Sequence, residues 1–126
     1  NPHASNSGGL LSSTQQNLCT KCHFTDVPAK EKAKYITHPG QECTICHSPH
    51  GSDNSRYLSD PDPMKLCKTC HADVHKNSHP MGAEFTDKRT NGPVDCLSCH
   101  KLHGSDQEFY LAFNPDMDLC IQCHKR

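Results

Sequence analysis

The cysteines of this chain all belong to one repeated five-residue pattern, Cys-x-x-Cys-His. The pattern occurs five times in 126 residues, uses all ten cysteines, and spans residues 19–23, 43–47, 67–71, 96–100 and 120–124. Disulfides do not require a histidine after each second cysteine, and zinc sites do not require the Cys-His pair. The pattern instead indicates covalent attachment of c-type haem.

The chemistry of this motif assigns a role to each of its residues. Two thiols form thioethers with the vinyl groups of one porphyrin, and the next imidazole binds the iron as its proximal ligand. The sequence therefore predicts five c-type haems. The predicted attachment residues are Cys19, Cys22, Cys43, Cys46, Cys67, Cys70, Cys96, Cys99, Cys120 and Cys123. The predicted proximal iron ligands are His23, His47, His71, His100 and His124.

The composition leaves little material for an ordinary hydrophobic core. Only 33% of the residues are hydrophobic, a class that includes the cysteines, and tryptophan is absent. A chain this small and polar cannot offset its ordering entropy by side-chain burial alone. We therefore expect a mostly irregular fold with a few short α-helices and no significant sheet. Its core would be the stack of haems, as in small multihaem cytochromes c.

Charge and hydropathy exclude two classes of partner. The net charge is -1 with both signs scattered along the chain, so no basic patch for nucleic acid is expected. No run of 18 apolar residues exists, so no membrane span is expected. The chain begins with Asn1, which we interpret as the start of an exported product whose signal peptide was removed.

An internal repeat underlies the motifs. Residues 43–71 align with residues 96–124 without a gap, and both segments read motif, His-Gly-Ser-Asp, Tyr-Leu, a Pro/Asp turn, Leu, motif. The N-terminal residues 3–19 continue this pattern. Self-similarity at such a period indicates a repeated structural unit, and we expect residues 1–126 to form one pentahaem domain.

Several stretches around the motifs carry a family resemblance. They are His38-Pro39 before the second motif, residues 46–52 (Cys-His-Ser-Pro-His-Gly-Ser), and Ser78-His79-Pro80 before the fourth. With these stretches the chain resembles the multihaem cytochromes c of the doubled Cys-x-x-Cys-His group. That group includes the pentahaem electron donor of periplasmic nitrite reductase, the decahaem conduits of outer membranes and the extracellular cytochrome filaments. The resemblance implies electron exchange with redox partner proteins or extracellular acceptors.

Histidines outside the motifs are candidates for the sixth iron ligands. Six such residues face five irons, and their number favours bis-histidine coordination. His50 and His103 each follow a proximal histidine by three residues, so neither can reach the distal face of the adjacent haem. Each should therefore bind a different haem. The predicted distal ligands are His3, His38, His50, His79 and His103.

Repeat positions suggest how these ligands are distributed. His3, His50 and His103 occupy equivalent positions and are assigned to the odd-numbered motifs, because three candidates match three such haems. His38 and His79 lie between an odd motif and an even one, and are assigned to the even-numbered motifs. His75 has no counterpart and is interpreted as an exposed or hydrogen-bonding side chain. The main alternative is that His75 replaces His3.

Local sequence signals predict little regular structure. Pro/Asp-rich turns at 60–63 and 114–116 should begin short helices that lead into the third and fifth motifs. Residues 27–36 could form one or two helical turns. Residues 82–95 are expected to form a surface loop, because Gly82, Asn91, Gly92 and Pro93 favour turns.

The predicted coordination determines the predicted function. An iron with two imidazoles has no position for a substrate, so we expect electron transfer rather than catalysis. The enzyme alternative is a multihaem reductase, which would need an open iron. Two conducting assemblies fit the sequence. One is an extracellular filament built head to tail, since a chain that begins and ends in mid-repeat has complementary ends. The other is a soluble periplasmic shuttle.

Overall fold

Short helical turns separated by irregular chain make up most of the protein. The computed structural model describes residues 5–24, 33–35, 38, 42–72, 74–75 and 79–124. Its α-helices are α1 (Gln15–Cys19), α2 (Cys43–Cys46), α3 (Pro63–Lys68) and α4 (Asp118–Ile121). Short 3-10 segments lie at Gly8–Leu10, Ser55–Tyr57, Cys96–Ser98 and Glu108–Tyr110. The predicted fold class is therefore confirmed. Within the described ranges, every helix falls short of the length and apolar character that a membrane crossing requires.

A side-chain cap and a proline set where α3 begins. Asp62 accepts a hydrogen bond from the Met64 N–H at 2.9 Å, and Pro63 occupies the first position of α3. Proline suits this position because its missing N–H would have no partner there. The expected helices before the third and fifth motifs are confirmed. Most of the expected helix at 27–36 lies outside the described residues.

The segment 82–95 is not the surface loop that the sequence predicted. Strand β1 (Gly82–Asp87) pairs antiparallel with strand β2 (Gly92–Val94) in a two-stranded sheet. The connection contains Asn91 at φ 58°, followed by Gly92. An Asn-Gly pair between short strands favours a hairpin because both residues tolerate positive φ. The hairpin was missed because the strands are short and lack a regular alternation of apolar residues.

The chain buries very little of its own apolar surface. Among the described residues, Ala33 is the one buried hydrophobic side chain, whereas Phe109 is 77% exposed. The other buried side chains there, Asp87 and Ser105, are polar. Hydrophobic burial between side chains is therefore too small to hold the described segments together. The protein needs another source of cohesion.

One tight turn occurs three times, at positions that the sequence repeat makes equivalent. In each copy a serine hydroxyl donates to the carbonyl of the leucine six residues later. The same hydroxyl accepts a hydrogen bond from the N–H two residues after the serine. The three pairs are Ser5–Leu11, Ser52–Leu58 and Ser105–Leu111.

The two central residues of each turn adopt left-handed backbone angles. In the second copy Arg56 lies at φ 56° and Tyr57 at φ 54°, and in the third Phe109 lies at φ 54°. Glycine occupies the matching position of the first copy, where Gly9 lies at φ 66°. Side chains other than glycine are strained in this conformation, at a cost of about 1–3 kcal/mol per residue. Contacts around the turn therefore hold these residues in the strained conformation.

Substitutions at Arg56 should separate backbone strain from side-chain charge. Arg56→Val and Arg56→Gly both remove the same charge, but a β-branched residue tolerates positive φ far less well than glycine. We expect the valine variant to have a free energy of unfolding about 1–2 kcal/mol below that of the glycine variant. Denaturant titration of the two proteins measures this difference. Equal stabilities would show that the turn does not persist in solution.

Candidate functional site

All five motifs share one backbone hydrogen bond. In each, the histidine N–H donates to the carbonyl of the first cysteine, four residues earlier, at 2.9–3.0 Å. This one helical turn brings two thiols and an imidazole to the same short segment. The five donor–acceptor pairs are His23–Cys19, His47–Cys43, His71–Cys67, His100–Cys96 and His124–Cys120.

Four of the motif histidines face a second imidazole. The separations between ring centroids lie between 5.7 and 6.2 Å. Two imidazoles on opposite sides of one metal have centroids about 6 Å apart, since each metal–nitrogen bond is about 2 Å long. The observed separations therefore suit a shared metal. The pairs are His71 with His38, His47 with His103, His100 with His75, and His124 with His79.

The sets of candidate ligands suit a porphyrin iron better than a bare ion. In the part of the chain that the structure describes, no three His, Cys, Asp or Glu side chains converge to hold a metal ion. A porphyrin supplies four nitrogens itself and leaves two axial positions. Pairs of histidines beside paired cysteines are the donor set that c-type haem needs.

The observed pairs differ from the assignment drawn from the repeat. His38 and His79 lie against the third and fifth motifs, whereas even-numbered motifs were expected. His103 lies against the second motif, whereas an odd-numbered one was expected. It does face a histidine outside its own motif, as its position required. The equivalent positions His38 and His79 do form equivalent contacts, but with motifs that counting alone could not identify.

His75 is exposed, as the sequence suggested, but it also faces a motif histidine. Its ring centroid is 6.0 Å from that of His100. His50 is exposed as well, and no histidine ring among the described residues lies against it. His3 lies outside the described residues. The sequence left His75 only as the alternative to His3, because His75 has no counterpart in the repeat.

Contacts of a distant segment explain how His38 reaches the third motif. Tyr35 exchanges two backbone hydrogen bonds with Ser105, both at 2.8 Å. The Tyr35 ring packs on the Tyr110 ring at 5.7 Å, and His38 stacks on the same Tyr110 ring. A segment between the first two motifs is thereby attached to the second repeat unit.

Backbone carbonyls orient several of the paired imidazoles. Nδ1 of His47 donates to the Arg56 carbonyl at 3.0 Å, and Nδ1 of His100 donates to the Phe109 carbonyl at 2.6 Å. Nδ1 of His79 donates to the Pro80 carbonyl. A proton held on Nδ1 leaves the Nε2 lone pair for a metal, and the hydrogen bond raises the basicity of the ligand. The strained turns thus support the proximal histidines of the second and fourth motifs.

His38 has a buried nitrogen without a hydrogen-bond partner. Its Nδ1 is shielded from solvent and finds no donor or acceptor. Orphaned buried polar atoms are rare because each one costs free energy. A histidine held in this way by stacking and burial, rather than by hydrogen bonds, is consistent with one ring nitrogen serving as a metal ligand.

The thiols of successive motifs lie beside one another. Burial raises the pKa of Cys67 to about 12, and the charge of the Cys96 thiol of the next motif and a hydrogen bond with that thiol add to the effect. Burial also raises the pKa of Cys43, with the Cys19 thiol as the next largest cause. Burial followed by the Cys70 thiol likewise raises the pKa of Cys46. Burial is also the largest cause of the raised pKa of Cys99, where Arg89 lowers the pKa and the Cys123 thiol raises it. The attachment points therefore follow one another in the order of the sequence.

Comparison with known proteins agrees with this reading of the site. The family model described as the doubled CXXCH motif matches residues 1–27, 38–76 and 90–126, which is more than half of the chain. The multiheme cytochrome MtrA of Shewanella baltica (strain OS185) is 31% identical over 159 residues, covering 98% of this chain. The chain spans 46% of the length of that relative. With five attachment turns, paired histidines and this family match, the chain belongs to the doubled CXXCH group of multihaem c-type cytochromes.

Proposed function

We propose that the protein transfers electrons along a row of five covalently attached haems, each bound by two histidines. The observation that carries this proposal is the separation of the four histidine pairs, which is the one that two axial ligands of an iron require. When bound, each haem supplies an iron that accepts and releases one electron. The chain supplies the anchors, the axial ligands and their orientation.

The proposed ligand pairs follow the ring contacts. His103 serves the second motif, His38 the third, His75 the fourth and His79 the fifth. For His23 of the first motif, the candidates that remain are His3 and His50. All five proximal histidines keep the role that the motif gives them.

The order of the haems follows from the thiol neighbours. Each of the neighbouring thiol pairs described above joins one motif to the next along the chain. Attachment through neighbouring sulfurs would hold successive haems close to each other. This arrangement supports a linear path from the first motif to the fifth.

Closed axial positions argue against catalysis at the iron. A reductase of the multihaem type needs one iron position for its substrate, and a second histidine occupies that position in each proposed pair. We therefore propose a carrier rather than an enzyme. Its partners would be redox proteins or extracellular electron acceptors. Attachment of c-type haem takes place outside the cytoplasm, which supports a periplasmic or extracellular location.

The haem count can be measured directly. The intact mass of the denatured holoprotein should exceed that of the chain by five haems, because thioether bonds survive unfolding. The double variant Cys120→Ser/Cys123→Ser serves as a control, and it should carry four. A wild-type mass with fewer than five haems would contradict the proposal.

Replacement of His75 tests the proposed ligand pairs. His75→Ala should leave the iron of the fourth motif with one imidazole, so one haem in five becomes high-spin and binds carbon monoxide when reduced. Val74→Ala truncates the adjacent side chain and should leave all haems low-spin. Electron paramagnetic resonance and carbon monoxide difference spectra measure both outcomes. Five low-spin haems in His75→Ala would show that His75 is not a ligand.

The assembly of the protein distinguishes the two expected carriers. An extracellular filament and a soluble periplasmic shuttle would use the same row of haems, and both assemblies stay predictions. Negative-stain electron microscopy of the purified holoprotein should show long fibres if the chain is a filament subunit. If sedimentation experiments show a monomer at all concentrations, the protein is a soluble shuttle instead.

A further inference from the structure

An ion pair in the β1–β2 hairpin holds the most buried side chain of the described residues. Asp87, the last residue of β1, is 1% exposed. Arg89 binds it with both arms of its guanidinium, Nε to Oδ1 at 3.0 Å and Nη2 to Oδ2 at 2.6 Å. The Arg89 N–H also donates to Oδ1 at 2.9 Å. A bidentate pair of this kind is among the stronger charge-assisted contacts in proteins.

The same ion pair contacts two successive haem motifs. Nη2 of Arg89 donates to the carbonyl of Ser98, inside the fourth motif. Oδ1 of Asp87 lies 3.9 Å from Sγ of Cys123, the second attachment sulfur of the fifth motif. The two charges therefore sit between the attachment points of two neighbouring haems.

Asp87 carries its charge at neutral pH. The Arg89 guanidinium holds the pKa of that carboxyl well below its usual range, and hydrogen bonds outweigh the opposing effect of burial. Removing one member of a buried pair leaves the other charge uncompensated. An uncompensated charge in a poorly solvated region acts strongly on neighbouring charges, because solvent screens it little.

We propose that the Asp87–Arg89 pair sets the reduction potential of the fifth haem relative to the fourth. The argument rests on the proposed function, since it requires haems at both motifs. A carboxylate beside the Cys123 sulfur stabilises the oxidised iron, which carries one more positive charge than the reduced iron. The guanidinium opposes this effect. The balance between the two charges thus determines how readily the fifth haem accepts an electron from its neighbour.

Single and double substitutions measure this balance. Arg89→Gln leaves the carboxylate uncompensated, so one haem of the holoprotein should become harder to reduce. Asp87→Asn leaves the guanidinium, so the same haem should become easier to reduce. The double variant Asp87→Asn/Arg89→Gln should lie between the two. We expect changes on the order of tenfold in the reduced-to-oxidised ratio at fixed potential, or about 59 mV for a one-electron couple. Spectroelectrochemical titration gives these values.

An exposed ion pair provides the matched control. Lys65 and Asp60 are 2.8 Å apart, but the lysine side chain is 73% exposed. Solvent screens such a pair. Lys65→Gln and Asp60→Asn change the charge in the same way as the substitutions at Arg89 and Asp87, and they should leave all potentials unchanged.

Arg89→Lys separates the effect of the charge from that of the hydrogen-bond geometry. It also serves as a control for misfolding caused by substitution at this position. It keeps the positive charge but loses the bidentate fork. Its potentials should stay close to those of the wild type, whereas Arg89→Gln shifts one haem. Shifts of the same sign in Arg89→Gln and Asp87→Asn, or equal shifts in Arg89→Lys and Arg89→Gln, would overturn the inference. The intact mass of each variant tests haem attachment separately, so a missing haem would count against the proposed function instead.

Discussion

Covalent attachment of haem is the constraint on which this structure depends. Within the described ranges the chain buries one apolar side chain, Ala33, and leaves large ones such as Phe109 exposed. A polypeptide with so little internal burial does not offset its conformational entropy by itself. The five attachment turns, each closed by the same hydrogen bond from histidine to cysteine, are the fixed points of the fold. The connecting segments are then free to be irregular.

Irregular connections still have to position side chains with precision. In the turns at Ser52–Leu58 and Ser105–Leu111, the backbone is strained and one carbonyl faces a proximal imidazole. That carbonyl orients the ring, and in the proposed haem site it would increase electron donation from the imidazole to the iron. Strain at a functional position persists only where surrounding contacts enforce it. Here the serine hydroxyl supplies such a contact by bonding to both ends of the turn.

The structural features that the sequence could predict are those that depend on residues close together along the chain. The attachment motifs, the short helix at Pro63–Lys68 and the lack of a large sheet all follow from local patterns. The partner of each proximal histidine depends on long-range docking, such as that of Tyr35 on Ser105, which brings His38 to His71. Counting equivalent histidines could not reveal these partners. A sequence repeat shows which positions are equivalent, but it does not show which repeat units contact each other. The hairpin was missed although Asn91-Gly92 signalled it.

Departures from the repeat are where the haems can differ from one another. Identical local units would give similar environments, and a row of equal sites has no preferred direction. The segment 72–95 is five residues longer than its counterpart 24–42. It holds His75, which faces His100, and the hairpin whose charges lie beside Cys123. Both features contact the fourth and fifth motifs. In the proposed electron path, this longer segment therefore supplies residues that distinguish the end at the fifth motif.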